Sequence, residues 1–192
     1  MPLRGDAFAK DHYYHIYNRG TGESRLFFSA ENYEHCLRLV QRYRAKYGVT
    51  VIAYCFMPNH YHLLLRQDAD EPMSRFISVV FNAYVQALNK EQNRKGTLFE
   101  GRFRHVWVNR DEYLTHLCRY IHLNPVKAGL VSEPHHWPYS NYAEWTEKRH
   151  GTLCDRSFIR QFFATAEDYR QFVADYQEEV LLQGQLAKYA LD

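Results

Sequence analysis

Residues 49–66, VTVIAYCFMPNHYHLLLR, constrain the fold more than any other part of the chain. The β-branched and aromatic residues from Val49 to Met57 favour a buried strand, Pro58-Asn59 makes a turn, and His60 to Arg66 returns as a second strand. Side chains on a strand alternate between its two faces. Tyr61, Leu63 and Leu65 therefore share one face, and His60, His62 and Leu64 share the other. Two imidazoles side by side on a sheet are either a metal-ligand pair or an ordinary polar patch. The hairpin alone does not choose between them.

The flanking segments supply the other elements. Tyr13–Tyr17 (YYHIY) predicts a first strand, ended by Asn18-Arg19-Gly20. Residues 31–47 carry Tyr33, Cys36, Leu37, Val40 and Tyr43 near helical spacing, with Gly48 as the stop. A second helix is predicted from Pro72 to Asn89. A basic, glycine-punctuated stretch follows, ending in a strand over Phe103–Val108. A third helix is predicted over Asp111–Asn124, with two acids at its start and Pro125 at its end. The order β-α-β-β-α-β with a further helix predicts an α+β, ferredoxin-like fold, an antiparallel sheet with helices on one face. Residues 1–150 are expected to form this domain. Residues 151–192 form an acidic extension whose pattern from Asp155 onward predicts helix.

Charge is unevenly distributed. Residues 1–130 hold 18 Lys and Arg against 12 Asp and Glu, whereas residues 131–192 hold 6 against 10. That asymmetry points to a polyanionic partner for the first part. The 16 tyrosines can pack a core and can also stack on bases. Cys36, Cys55, Cys118 and Cys154 form no Cys-x-x-Cys pair, which fits free thiols in a reducing compartment. No apolar run approaches the roughly 18–20 residues of a membrane span. A cytoplasmic protein with no membrane association is expected.

On the third helix, at about 100° per residue, Tyr113, His116, Tyr120 and Asn124 fall within about 80° of one another. Leu114, Leu117, Cys118 and Ile121 fall on another face, which is expected to be buried. Tyr120 and Asn124, four residues apart, can reach one site together. Tyr113 shares the stripe, so it is the other tyrosine that could face that site. His116 and His122 are expected to be structural or at the surface. Lys90, Arg94, Lys95, Arg102 and Arg104, interleaved with Phe99, Phe103 and Trp107, form either a solvated loop or a surface for phosphate contact and base stacking.

The HYH strand, followed by RYIHLNPVKAGLV and WPYS, resembles the REP-associated tyrosine transposases. They belong to the IS200-like, single-tyrosine HUH transposases. YHIYNRG and GRFRHVWV are similar to the same family, and the resemblance covers residues 13–145. It implies a single-stranded DNA endonuclease and strand transferase acting at hairpins or palindromic repeats, associated with the bacterial nucleoid. By its motif, His60, His62 and Asn124 would bind Mg²⁺ or Mn²⁺, and Tyr120 would be the nucleophile that forms a 5′-phosphotyrosine. Ligand preference alone would favour manganese or zinc over magnesium for such a set. Lys95, Arg102, Arg104 and Lys127 are the expected DNA-binding cations. The resemblance leaves room for a homodimer, since relatives that dimerise can assemble a site from two chains. Two other functions fit the same residues: a non-catalytic module that binds single strands, and a metal phosphoesterase that uses an activated water.

Overall fold

The computed structural model describes residues 8–175. Four strands, β1 (Tyr13–Arg19), β2 (Val49–Phe56), β3 (His60–Gln67) and β4 (Arg104–Val108), form one antiparallel sheet in the order β2-β3-β1-β4. Helix α1 (Ala30–Arg44) joins β1 to β2, and α2 (Met73–Glu91) joins β3 to β4. The predicted ferredoxin-like α+β order is thus the observed one.

The alternation in β3 divides the interior in two. Tyr61, Leu63 and Leu65 pack with Cys36 and Val40 of α1 and with Phe76 and Val80 of α2. On the opposite face Leu64 packs with Leu117 and Ile121 of α3 (Asp111–Lys127). The second core is completed by α4 (Tyr142–Trp145), α5 (Arg156–Arg160) and α6 (Ala166–Ala174), which contribute Trp145, Phe158 and Tyr169. The crossover helices lie on one face, as expected, while α3 and the segments after it cover the other.

Three differences from the sequence expectation have a clear physical cause. Helix α1 ends at Arg44, and Gly48 follows a further turn at φ +54°, where a Cβ would come within 2.4 Å of the Ala69 Cβ. Helix α3 does not end at Pro125 but runs through it to Lys127. Proline removes one amide donor, yet the helix stop is made by Gly129 at φ +66°. There the amides of Gly129 and Leu130 donate to the carbonyls of Val126 and Pro125, both at 2.9 Å. This paired closure satisfies the last carbonyls. Finally, the helical stretch expected after Asp155 is divided into two short helices. Thr165 starts the second, its hydroxyl accepting from the Asp168 amide at 3.1 Å while the Asp168 carboxylate accepts from the Thr165 amide at 2.8 Å. The rest of that expected helix, residues 176–192, lies outside the described residues.

One buried polar side chain ties α3 to the sheet. β2 carries an irregularity between Val51 and Ala53 that leaves Ile52 without a partner in register. Asn141 fills the gap: its Nδ2 donates to the Ile52 carbonyl at 2.8 Å, and its Oδ1 accepts from the Tyr54 amide at 2.7 Å. The same oxygen lies 2.9 Å from Nε2 of His122 on α3. An amide oxygen can only accept, so His122 donates from Nε2. Its Nδ1 therefore accepts from the Tyr169 hydroxyl, 2.6 Å away on α6.

Asn141→Ala removes the partner of a buried carbonyl, a buried amide and a buried imidazole at once. At about 1–3 kcal/mol for each orphaned group, incompletely additive, the expected loss is roughly 2–4 kcal/mol. Equilibrium urea unfolding should show it as a lower midpoint with little change in slope.

Candidate active site

The strand register sets one row of side chains across the face that α3 covers. Cys55 of β2, His62 of β3, Tyr17 of β1 and Arg104 of β4 are successive partners in the register. One step toward the hairpin end, His60 pairs with Arg19; one step the other way, Leu64 pairs with His15. Both histidines of the HYH motif therefore face α3, at the end of the sheet where the β2–β3 turn lies.

Each imidazole is held from behind. His60 Nδ1 lies 2.8 Å from the Asn59 Oδ1, so it donates there and its Nε2 carries the lone pair. His62 is fully buried, and its Nδ1 lies 2.9 Å from the Nε2 of equally buried His15. The His15 and His62 rings stack with centroids 5.1 Å apart, and His15 in turn stacks on Tyr17 at 4.9 Å. His62 Nε2 is buried and has no hydrogen-bond partner among the described residues. A buried polar atom without a partner is costly. A cation on this atom requires the tautomer in which His62 Nδ1–H donates to His15. Burial holds both rings neutral, pushing His15 down to about 3 and His62 well below the usual imidazole range.

Helix α3 closes the site. The Tyr120 ring meets His62 edge-on, with centroids 5.5 Å apart. Asn124 donates from Nδ2 to the Tyr120 carbonyl at 2.9 Å. Its side chain is also within hydrogen-bonding reach of His60, which partly offsets the fall in the His60 pKa caused by burial. Lys127 places its ammonium 5.5 Å from the Tyr120 ring centroid. The structure thus brings His60, His62, Tyr120, Asn124 and Lys127 together. Among the described residues there is no cluster of three or more His, Cys, Asp or Glu that could hold a metal. A cation here would rest on two imidazoles and one carboxamide, and the unpartnered His62 Nε2 fits that set.

The other predicted residues divide. Arg104 is exposed at the end of the row that contains His62. Arg102 is exposed on the loop before β4 and lines a small cavity of about 200 Å³ with Arg19, Glu100 and Arg104. Lys95 stands exposed in the loop after α2, outside the His60–Tyr120 cluster. Tyr113 is buried, with its hydroxyl 3.2 Å from Arg110, so the rival on the stripe is a packed residue. His116 accepts from Arg119 at 2.8 Å, and His122 belongs to the Asn141 network; both are structural. Sequence reasoning missed His15, Tyr17 and Asn59. The signal was present: His15 and Tyr17 alternate just as His60 and His62 do, but only the pairing of β1 with β3 puts the two sets on one face.

The IS200-like transposase family model matches residues 8–124, more than half of the chain. The chain belongs to the IS200-like transposase family. A search of curated proteins finds no match. Among solved structures, the REP-associated tyrosine transposase bound to a REP hairpin has a TM-score of 0.67 and 17% identity, over 81% of this chain and 94% of that one. This likeness supports the shared fold. Two other structures fall below a TM-score of 0.5. A candidate transposase of Deinococcus radiodurans gives 0.44 at 14% identity, covering 62% of this chain and 94% of that one. The tRNA(His) guanylyltransferase of Saccharomyces cerevisiae gives 0.47 at 11%, covering 96% and 81%.

The buried histidines of this transposase make its stability acid-sensitive. His15 and His122, held down to about 3 and about 4 by burial, stay neutral in the folded chain. In the unfolded chain they take up protons below pH ~6.5. The unfolded state then binds more protons, so stability falls as pH drops, at up to about 1.4 kcal/mol per pH unit for each histidine. Urea midpoints at pH 7, 6 and 5 should decline progressively, with the steeper fall between 6 and 5.

Proposed function

We propose that this transposase cleaves and rejoins single-stranded DNA through a covalent bond to Tyr120, with a divalent cation held by His60, His62 and Asn124. The observation that carries this is the meeting of α3 with the two imidazoles, Tyr120 with His62 at 5.5 Å between ring centroids and Asn124 with His60. A free tyrosine has a pKa of about 10 and is a weak nucleophile at neutral pH, so the surroundings must supply the driving force.

In the proposed reaction the Tyr120 hydroxyl oxygen attacks the phosphorus and loses its proton to solvent. The bond from phosphorus to the 3′ oxygen breaks, and that oxygen leaves as a free 3′-hydroxyl after taking up a proton. The 5′ phosphate stays on Tyr120, so the phosphodiester energy is kept for rejoining when a 3′-hydroxyl attacks in turn. Mg²⁺ or Mn²⁺, when bound, polarises the phosphate and balances the charge that builds up in the transition state. His15 and Asn59 hold the two imidazoles in the required tautomers, a role that partners of metal-ligating histidines commonly fill. Asn124, bonded to the Tyr120 carbonyl, keeps the nucleophile and the third ligand in fixed relation on one helix. Lys127 places positive charge beside the phenol. Arg102 and Arg104 continue that charge along the sheet end and would steer a phosphate backbone. A structurally similar transposase is bound to a REP hairpin. By that likeness, DNA hairpins at palindromic repeats are the proposed substrates, encountered on the bacterial nucleoid.

The deciding experiment uses labelled single-stranded hairpins with unpaired flanks, incubated with Mg²⁺ or Mn²⁺ and denatured. Wild type should carry label with the protein, and Tyr120→Phe should carry none. Cleavage without an adduct, unchanged in the mutant, would mean an activated water instead. Binding without cleavage would mean a non-catalytic module. For the cation, His15→Phe should weaken Mn²⁺ binding by about 10–100-fold, measured by titration calorimetry, while the far-UV spectrum stays unchanged.

A further inference from the structure

Strand β1 sends Tyr14 and Ile16 into the core beneath α1 and α2, and its alternation turns His15, Tyr17 and Arg19 to the face that α3 covers. Tyr17 lies in the row between His62 of β3 and Arg104 of β4. It is 5% exposed, yet it joins neither apolar cluster. Its ring stands against imidazoles instead, 4.9 Å and 27° from His15 and 6.2 Å from His62. Those contacts use the face of the ring, and a phenylalanine would make them equally well. The hydroxyl is surplus to them. Buried tyrosines usually give their hydroxyl a partner. Tyr84 donates to the Leu26 carbonyl at 2.6 Å, and Tyr169 donates to His122 at 2.6 Å. Among the described residues the Tyr17 hydroxyl makes no hydrogen bond, and it is not sealed from solvent.

Its place in the row gives this hydroxyl a partner of a particular kind. Two phenols approach His62: Tyr120 from α3, with ring centroids 5.5 Å apart, and Tyr17 from β1. A phosphodiester attacked by Tyr120 beside the HYH histidines lies against the same stretch of sheet. On the other side of Tyr17 in the register, Arg104 is exposed, and the proposed path of the phosphate backbone runs over it. The histidines themselves cannot hold a phosphate oxygen by a hydrogen bond. In the tautomers set by Asn59 and His15, both turn lone pairs outward. A phenol O–H beside them supplies the neutral donor that they lack.

We infer that the Tyr17 hydroxyl donates a hydrogen bond to a non-bridging oxygen of the phosphodiester that Tyr120 attacks. The inference rests on the proposed tyrosine chemistry and adds to it a second phenol that touches the substrate. Tyr17 keeps its proton throughout, so no bond to it forms or breaks. The charge that builds up on the phosphate in the transition state strengthens such a contact, so it lowers the barrier rather than only tightening binding. The stack on His15 fixes the ring, and the donor is therefore aimed before DNA arrives.

The test compares wild type with Tyr17→Phe, which keeps the ring and its stack. Adduct formation in a single turnover is followed at saturating labelled hairpin, in Mg²⁺ or Mn²⁺, with the full chain. The saturated rate should fall about 10- to 100-fold, the range for one lost hydrogen bond to a charged group. Hairpin affinity in EDTA and Mn²⁺ affinity by titration calorimetry should be little changed. A phosphorothioate at the bond that wild type cuts then isolates the contact, because sulfur accepts hydrogen bonds poorly. Wild type should cut one of the two diastereomers more slowly than the oxygen substrate, and in Tyr17→Phe that difference should shrink. A wild-type rate in Tyr17→Phe, a loss matched by weaker Mn²⁺ binding, or a sulfur effect equal in both proteins overturns this inference and leaves the tyrosine chemistry standing. An adduct lost in Tyr17→Phe but kept in Tyr120→Phe, or no wild-type adduct with any hairpin, overturns both.

Discussion

Everything in this protein depends on the two-residue period of β3. Tyr61, Leu63 and Leu65 close the core beneath α1 and α2, and this pins the strand so that His60 and His62 must face α3. A slip of one residue would turn both imidazoles into the core beneath α1 and α2 and the three large side chains toward α3. The chemistry therefore needs no separate device to aim its histidines. The hydrophobic pattern that stabilises the sheet also sets their direction.

Aiming Tyr120 is a harder problem, because a helix resting on a sheet can rotate about its axis. Here the rotation is fixed by polar contacts rather than by packing alone. Asn141 joins the irregular stretch of β2 to His122, and His122 is held from its other side by Tyr169. Tyr120 and Asn124 lie two residues to either side of this clamp. The helix then continues through Pro125 to the Gly129 closure, which keeps Asn124 one turn from Tyr120 and puts Lys127 within reach of its ring.

The sheet and its two crossover helices were legible in the sequence because each element has a strong local period and a local stop. The meeting of the HYH strand with Tyr120 and Asn124 was foreseen through the family resemblance, because the two periods assign each set a face without saying that the faces meet. His15, Tyr17 and Asn59 were hidden for a different reason. The roles of His15 and Tyr17 depend on which strand lies beside which, a property of long-range pairing. Asn59 adjoins His60, and only the geometry of the turn brings its side chain onto the ring. Pro125 misled because proline is a local signal for helix ending, whereas the closure is made four residues later by a positive-φ glycine. His122 was expected to be structural or at the surface, and it is structural and buried. Its partners, distant in sequence, could not be named.

The clamp on α3 also separates two boundaries that are often taken to coincide. The family signature ends at residue 124, yet the side chains that immobilise the signature helix come from Asn141 and Tyr169. A fragment trimmed to the recognisable motif would keep Tyr120, His60, His62 and Asn124 and lose Lys127. It would also leave His122, the Ile52 carbonyl and an apolar helix face without their partners. The segment that inheritance marks is thus smaller than the segment that physics requires. Anyone borrowing this scaffold should cut by the second measure.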